Sequence, residues 1–168
     1  MTKTVDSTRF LSGITKRIVK SWVKLEKPRE IPWTPLTKPL SDCTVALISS
    51  GALALKTDIP FDQEGERQNP WWGDPSYRII PRDATEAELN IYHLHVDPTF
   101  VTQDLNCLLP LQRLAEMEET GEIGHSAPSH YSFMGYTLQP EALLKESTPA
   151  IIGHLQNEEV DIVILVPA

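Results

Sequence analysis

The sequence predicts a three-layer α/β domain with a mostly parallel sheet, of the Rossmann-like or flavodoxin-like kind. Two apolar runs, at about 44–50 and 160–166, have the composition of strands buried in a parallel sheet. A helical pattern near 147–157 leads into the second run, and this order favours parallel winding. No loop and helix follow that run before Ala168. We therefore expect a fold that lacks the part after its last strand.

Length and charge restrict the class of protein. The chain has 168 residues with 40% hydrophobic content, which suits one globular domain. It contains no apolar run near the roughly 20 residues that a membrane span needs, so no membrane association by a spanning helix is expected. The net charge is −8, while residues 1–30 carry eight Lys or Arg against three acids. We therefore expect no nucleic-acid partner outside the first helix.

The cysteines and the N-terminus bear on the cellular compartment. Cys43 and Cys107 lie far apart without the spacing of a zinc site, so we expect no metal. So few cysteines suit a reducing compartment, which predicts a cytoplasmic protein. The N-terminus lacks the apolar core of a secretory signal, but its basic residues with Ser and Thr also resemble a transit peptide. An organellar location therefore stays as the alternative.

The first predicted element is an amphipathic helix at about 6–25, within an N-terminal region 1–30 that precedes the α/β domain 31–168. Its apolar residues recur at helical spacing: Leu11, Ile14, Ile18, Val19 and Trp22. Such a helix binds a membrane surface or an acidic partner, or docks on its own domain or a second subunit; docking is favoured. The Pro-rich stretch that follows predicts an extended strap pinned by Trp33.

The first strand ends in a turn of small residues, Ser49, Ser50 and Gly51. Ligands of open α/β sheets bind beyond the carboxyl ends of strands, and small residues let a ligand approach the backbone. The spaced glycines of a dinucleotide site and a Walker-type lysine are absent. A tight connection without ligand is the alternative interpretation.

Residues 61–83 combine Pro, Gly and charges with Trp71, Trp72 and Tyr77, which predicts a long irregular segment. Its aromatic side chains cover a pocket or partner surface, or they only pin the loop. Both interpretations stay open.

A polar cluster follows in the segment YHLHVDPTF. His93, His95 and Asp97 alternate, so an extended backbone would point all three to one face, as a metal site or a proton-transfer cluster needs; without a third nitrogen or sulfur ligand nearby, the metal site is disfavoured. The alternative is an ordinary hydrogen-bonded edge. Asp104 precedes a helix predicted at about 110–120, where helix capping is its structural alternative.

The last candidate for acid/base chemistry is His130, next to Tyr131. The structural alternative is that both cap a short strand, predicted from Tyr131 to Met134. No GxSxG motif is present, which argues against a serine hydrolase. After Pro140 we expect a pair of helices, the second carrying Ile151, Ile152 and His154 into the final strand.

Several separated segments, in one order, resemble a known family. The chain from about residue 31 to its end is similar to the selenoprotein B family of the glycine, sarcosine and betaine reductases and of D-proline reductase. The segments that carry the resemblance are IPWTPLTKPLSDCTVALISSGA, PFD, GDPSYRIIP, HLHVDPTFVTQDLNCLLPLQRL, GEIG and HYSFMGY.

The resemblance implies a reductive cleavage of a C–N bond in a small amine or amino acid. In the family, a selenocysteine or cysteine attacks the substrate's α-carbon, and a selenol suits this because it is anionic at neutral pH. The nucleophile lies just after a strand resembling DIVILVP, so it is expected after Ala168. The D-proline branch uses a pyruvoyl group made in another chain, and nothing in this sequence encodes one.

Three accounts of the ending stay open: a record that ends at a recoded UGA codon, a protein that lost the nucleophile and kept a binding or structural role, or a scaffold used for another ligand. We expect other reductase subunits as partners and a homo- or hetero-oligomer, because a final strand without a following helix leaves apolar surface. The residues predicted to bind the substrate are Ser49, Ser50, Gly51, His93, His95, Asp97, Asp104 and His130.

Overall fold

The computed structural model describes residues 12–25, 30, 34–69 and 71–168. The chain divides into two units, Met1–Leu36 and Thr37–Ala168. The helices are α1 Gly13–Leu25, α2 Gln63–Gln68, α3 Pro98–Val101, α4 Leu111–Glu119 and α5 Thr148–Asn157. The strands are β1 Thr44–Ser49, β2 Leu53–Leu55, β3 Tyr77–Pro81, β4 Leu89–Ile91, β5 His125–Ser126, β6 Ser129–Phe133 and β7 Ile162–Val166.

The first unit contains α1. The helix predicted at about 6–25 is observed from Gly13 to Leu25, and the part of the prediction before residue 12 lies outside the described residues. Trp33, predicted to pin the strap, also lies outside them.

The main sheet is built around β1, and it confirms the predicted mostly parallel α/β fold. β7 pairs in parallel with β1 from Val45 to Ser49. The other edge of β1 pairs in parallel first with β5 and then with β6. β3 joins β6 in the antiparallel direction. A separate antiparallel pair is formed by β2 and β4. The two apolar runs predicted as strands of one sheet are therefore direct neighbours.

Helices cover both faces of the sheet. Side chains alternate between the faces of a strand, so Val45 and Leu47 of β1 point to one face and Ile48 to the other. The first face packs into the main core with Leu111 and Leu114 of α4. On the second face, Ile48 lies in a groove that α5 lines with Ile151. The arrangement is helix, sheet, helix, as expected.

Three details of the predicted elements are wrong. Residues 61–83 are not one irregular segment, because α2 and β3 lie within them. The helix pair expected after Pro140 is instead a π-helical turn, Leu143–Ser147, that leads directly into α5. Pro149 explains this geometry, since it lacks the backbone N–H and its ring crowds the preceding turn, which a wider turn relieves.

The third correction concerns β7, which is parallel as predicted but not buried. The exposed fractions of Val163, Ile164 and Leu165 are 37%, 41% and 72%. β7 pairs only with β1 among the described strands, so it is an edge strand with apolar residues on it. Its start is held to β1 by Asp161, whose carboxylate accepts a hydrogen bond from Thr44 N at 2.8 Å and pairs with Lys38 at 2.7 Å.

His130 joins β6 to the middle of β1. Its Nδ1 accepts a hydrogen bond from Leu47 N at 3.0 Å, where β1 passes from β5 to β6. Because Nδ1 accepts, the ring proton of neutral His130 is on Nε2, which faces Ser126 Oγ at 3.3 Å. Burial, and to a smaller extent the charge of Arg82, lowers the pKa of His130 from 6.5 to about 4.

At the carboxyl end of β1, the segment after β6 approaches the backbone closely. Gly135 N donates a hydrogen bond to Ser50 O at 2.9 Å. A Cβ atom on Gly135 would lie 2.6 Å from Ser50 Cβ and 2.8 Å from Ser50 O. Glycine is therefore required here by close approach rather than by backbone angle.

The buried His130 predicts acid sensitivity. Its folded-state pKa is below its unfolded value, so the stability it contributes is complete above about pH 6.5 and is lost as the pH falls towards 4. His130→Asn keeps an acceptor for Leu47 N–H but does not titrate. We measure the free energy of unfolding with urea at pH 7 and at pH 4. The decrease between these two pH values should be larger for the wild type than for this variant, by up to roughly 3 kcal/mol. His125→Gln, at an exposed histidine, should behave as wild type, and identical pH profiles for wild type and His130→Asn would contradict the role of His130.

A pair of glycine substitutions tests the packing at Ser50. Gly135→Ala should lower the free energy of unfolding by about 1–3 kcal/mol, because the added methyl group overlaps Ser50. Gly153→Ala is the control: it lies within α5, and apart from its chain neighbours and the backbone of its own helix no atom lies within 4 Å of its added Cβ. It should stabilise the protein by roughly 0.5–1 kcal/mol through helix propensity. If chemical denaturation gave the same change in the free energy of unfolding for Gly135→Ala and Gly153→Ala, the close approach of Gly135 to Ser50 would not be a constraint.

Candidate functional site

Ser50 is hydrogen-bonded to two other segments of the chain at the carboxyl end of the sheet. Its N–H donates to Val166 O at 3.1 Å, and its carbonyl accepts from Gly135 N. Its hydroxyl accepts a hydrogen bond from Ala168 N at 2.8 Å. The predicted turn residue therefore touches both the segment after β6 and the segment after β7. This is the edge where ligands of open α/β sheets bind.

The neighbours of Ser50 in the turn have a different part in the structure. Ser49 is fully buried, and its Oγ accepts from Gly51 N at 3.0 Å. A Cβ atom on Gly51 would lie 2.8 Å from Leu108 Cδ1, so the core of the protein occupies the space beside this glycine. Ser49 and Gly51 shape the turn from within, and Ser50 is the partly exposed member.

A cavity adjoins the Ser50 hydroxyl. It has a volume of about 280 Å³ and is lined by Ile48, Ser50, Phe133, Leu165, Val166 and Pro167. A second space of about 170 Å³ shares Ile48, Phe133 and Leu165 and extends towards α5. Apolar walls with a few polar groups are typical of small-molecule sites. The Ser50 hydroxyl provides a polar side chain in this lining.

The predicted extended cluster of His93, His95 and Asp97 is wrong in its geometry. Residues 93–96 form a turn, in which His95 N donates to His93 Nδ1 at 3.2 Å. Asp97 is the N-cap of α3, and its carboxylate accepts from Thr99 N at 2.9 Å. Helix capping next to Pro98 decides the local backbone, so the three side chains do not share one strand face.

His95 belongs to a different cluster, with a residue that sequence patterns do not single out. Its Nε2 lies 3.1 Å from Glu66 Oε1, and its ring packs on Tyr136 at 4.4 Å between centroids. Tyr136 follows Gly135, which is bonded to Ser50. His93 lies edge-on to His95 at 5.9 Å, and burial and the charge of His95 lower the pKa of His93. His95 is thus connected to the carboxyl edge of β1 through its contact with Tyr136 and the hydrogen bond of the preceding Gly135 to Ser50.

Glu66 could not be found from the sequence, because QEGERQ is polar throughout and lies in a stretch predicted to be irregular. Glu64 of the same helix is 67% exposed, whereas Glu66 is 3% exposed. Only the packing of α2 separates the two carboxylates. Gly135 and Tyr136 also escaped sequence analysis, although the GY pair lies in a segment that carries the family resemblance.

The other two predicted site residues have structural roles in the described contacts. Asp104 caps a short 3₁₀ helix, Leu105–Cys107, by accepting from Asn106 N at 3.0 Å. Hydrogen bonds from Asn106 lower the pKa of Asp104. His130 has 0% exposure and is bonded within the sheet.

Neither cysteine lines the cavity at Ser50. Cys43 is buried just before β1, at the end of the strand opposite Ser50 and roughly 20 Å from it along the chain. Its Sγ donates to Pro39 O at 3.2 Å. Cys107 is exposed at the end of the 3₁₀ helix that Asp104 caps.

Within the described residues, no group of three or more His, Cys, Asp or Glu side chains is arranged to hold a metal ion. None of the helices in the described part of the chain is both long and apolar enough to span a membrane.

Comparisons with known proteins give consistent results. The sequence model of the family described as glycine/sarcosine/betaine reductase selenoprotein B matches residues 9–168. The chain is 34% identical over 133 residues to the D-proline reductase subunit gamma of Acetoanaerobium sticklandii, an overlap of 79% of this chain and 52% of that protein. It is 30% identical over 135 residues to the glycine reductase complex component B subunit gamma of Carboxydothermus hydrogenoformans, an overlap of 80% and 30%. No solved structure gives a significant match.

The matched region covers a limited part of each relative but most of this chain. The alignment spans about half of the D-proline reductase subunit and under a third of the glycine reductase subunit. The family model, in contrast, covers nearly all of the 168 residues, including the whole described sheet. The chain therefore belongs to the glycine/sarcosine/betaine reductase selenoprotein B family.

Proposed function

We propose that this chain forms the scaffold and substrate-binding edge of a reductase component that cleaves a C–N bond in a small amine or amino acid. Family membership and the names of the two relatives support this assignment. The observation that carries it is the position of Ser50, whose hydroxyl lines a cavity and is bonded to residue 168. The carboxyl edge of β1 is where such a substrate would bind.

The proposed nucleophile is a selenocysteine or cysteine beyond Ala168, as the family resemblance implies. The hydrogen bond from Ala168 N to Ser50 Oγ supports this position, since it holds that part of the backbone against the cavity. Cys43 and Cys107 are remote from the edge or outside its lining. We therefore propose that residues 1–168 alone lack reductive cleavage activity.

The predicted binding residues would act in different ways. Ser50 would position the segment after β7, and His93 and His95 would contribute the polar side of the edge. Ser49, Gly51 and His130 would fix the end of β1 from within, and Asp97 and Asp104 would hold the adjoining loops. We propose no metal and no pyruvoyl group within residues 1–168; a pyruvoyl group would belong to a partner chain.

The proposed partners are other reductase subunits, in a homo- or hetero-oligomer located in the cytoplasm. The names of the relatives, a subunit and a complex component, support an assembly. The exposed apolar residues of β7 support it as well, because such surfaces usually bind another polypeptide.

The test compares the 168-residue chain with a chain extended beyond Ala168 by a family segment that carries selenocysteine or cysteine. Both forms are assayed with a dithiol, partner subunits and a panel of small amines and amino acids. We expect turnover only from the extended form, and the same turnover after Cys107→Ser. Turnover by the 168-residue chain that Cys107→Ser abolishes would contradict the proposed nucleophile position.

Ser50→Ala in the extended form tests the positioning role. Loss of one hydrogen bond of about 1.4 kcal/mol predicts a roughly tenfold lower kcat. Ser41→Ala, at an exposed serine before β1, is the matched control and should leave kcat unchanged. A chain that binds the small amines without turnover in any form would instead favour the alternative function, a binding or structural subunit of the same fold.

A further inference from the structure

Glu66 is a buried carboxylate whose charge has no hydrogen-bonded partner. Its side chain is 3% exposed, and within the described residues neither Oε1 nor Oε2 has a hydrogen-bond partner. The packing of α2 alone buries it, since Glu64 of the same short helix lies in solvent. Burial of a carboxylate without a hydrogen-bond partner disfavours folding, and proteins carry such costly groups mainly at functional sites.

Among the described residues, the His95 side chain lies next to this carboxylate. Nε2 lies 3.1 Å from Oε1, close enough for an ion pair when the imidazole is protonated, but the alignment is not that of a hydrogen bond. Oε2 likewise has no hydrogen-bond partner among the described residues. His95 can therefore balance the charge of Glu66 only in part.

The position of His95 would allow another cation to replace it. Its side chain is 54% exposed and lies over a residue that is almost fully buried. Its ring rests on Tyr136, and the Trp72 ring lies against Gly65, the residue before Glu66. Aromatic faces attract cations, so the Tyr136 ring would favour a positively charged group in the position of the His95 ring.

We propose that the Glu66 carboxylate binds the cationic nitrogen, an ammonium or substituted ammonium group, of a small amine or amino acid, with His95 as the counter-ion that the ligand displaces. The class of ligand rests on the proposed function, whereas the location of the site rests on the buried Glu66 carboxylate. Tyr136 connects this site to the cavity edge, because it follows the Gly135 that is bonded to Ser50. The nitrogen of the ligand would then be held beside the carboxyl edge of β1.

The test is a binding measurement on the 168-residue chain and needs no turnover. Glycine, methylammonium chloride and tetramethylammonium chloride are titrated by calorimetry and by NMR of the His95 ring, with sodium acetate as the control without a cationic nitrogen. We expect the three cations to bind and to shift the His95 signals, and acetate to do neither. Glu66→Gln should weaken binding of the cations at least tenfold, while Glu64→Gln, on the exposed face of the same helix, should leave it unchanged.

A second variant keeps the test decisive if Glu66→Gln does not fold, as judged by circular dichroism. His95→Gln removes the competing counter-ion, so the cations should bind at least as tightly as to the wild type. Three results would overturn the proposal. The first is a tenfold loss of cation affinity in His95→Gln, the second is equal cation affinity of the wild type and Glu66→Gln, and the third is no cation binding by the wild type. Cation binding at Glu66 without turnover in the extended chain would instead contradict the proposed function and leave the site standing.

Discussion

The parallel pairing of β7 with β1 is the constraint on which the candidate site depends. It runs from Val45 to Ser49 on β1, and it brings the segment after Val166 onto the end of β1. Ser50 then bonds Val166, Ala168 and Gly135 at once. A shift of β7 by one residue would reverse its faces and remove Ala168 from Ser50. The strand register therefore determines which groups meet at the carboxyl edge.

Much of the fold follows from local sequence. The β-branched runs of β1 and β7 and the helical order before β7 are strong patterns, and their pairing in one sheet was predictable because parallel winding has few alternatives. The helix at 111–119 is likewise where its apolar spacing and Gly121 place it. The burial of β7 was not predictable, because apolar composition does not tell an edge strand from a central one.

The candidate site was less accessible to sequence analysis. Ser50 could be placed because the carboxyl end of a strand is a general ligand position. Alternation of His93, His95 and Asp97 suggested a strand face, but the capping of α3 by Asp97 gave a turn instead. Glu66 has no local signal at all, since its burial arises from packing between distant segments. The residues that sequence analysis missed are those whose role depends on tertiary contacts.

The central claim is that the carboxyl edge of β1 is the ligand-binding part of this chain. The most direct measurement is a map of backbone amide NMR shifts when glycine or proline is added to the 168-residue protein. The account predicts the largest changes along the edge from residues 166–168 and Ser50 through Gly135 and Tyr136 to His95. Changes centred instead on the cavity of about 330 Å³ lined by Lys56, Asp83 and Glu88, with none at Ser50, would contradict it.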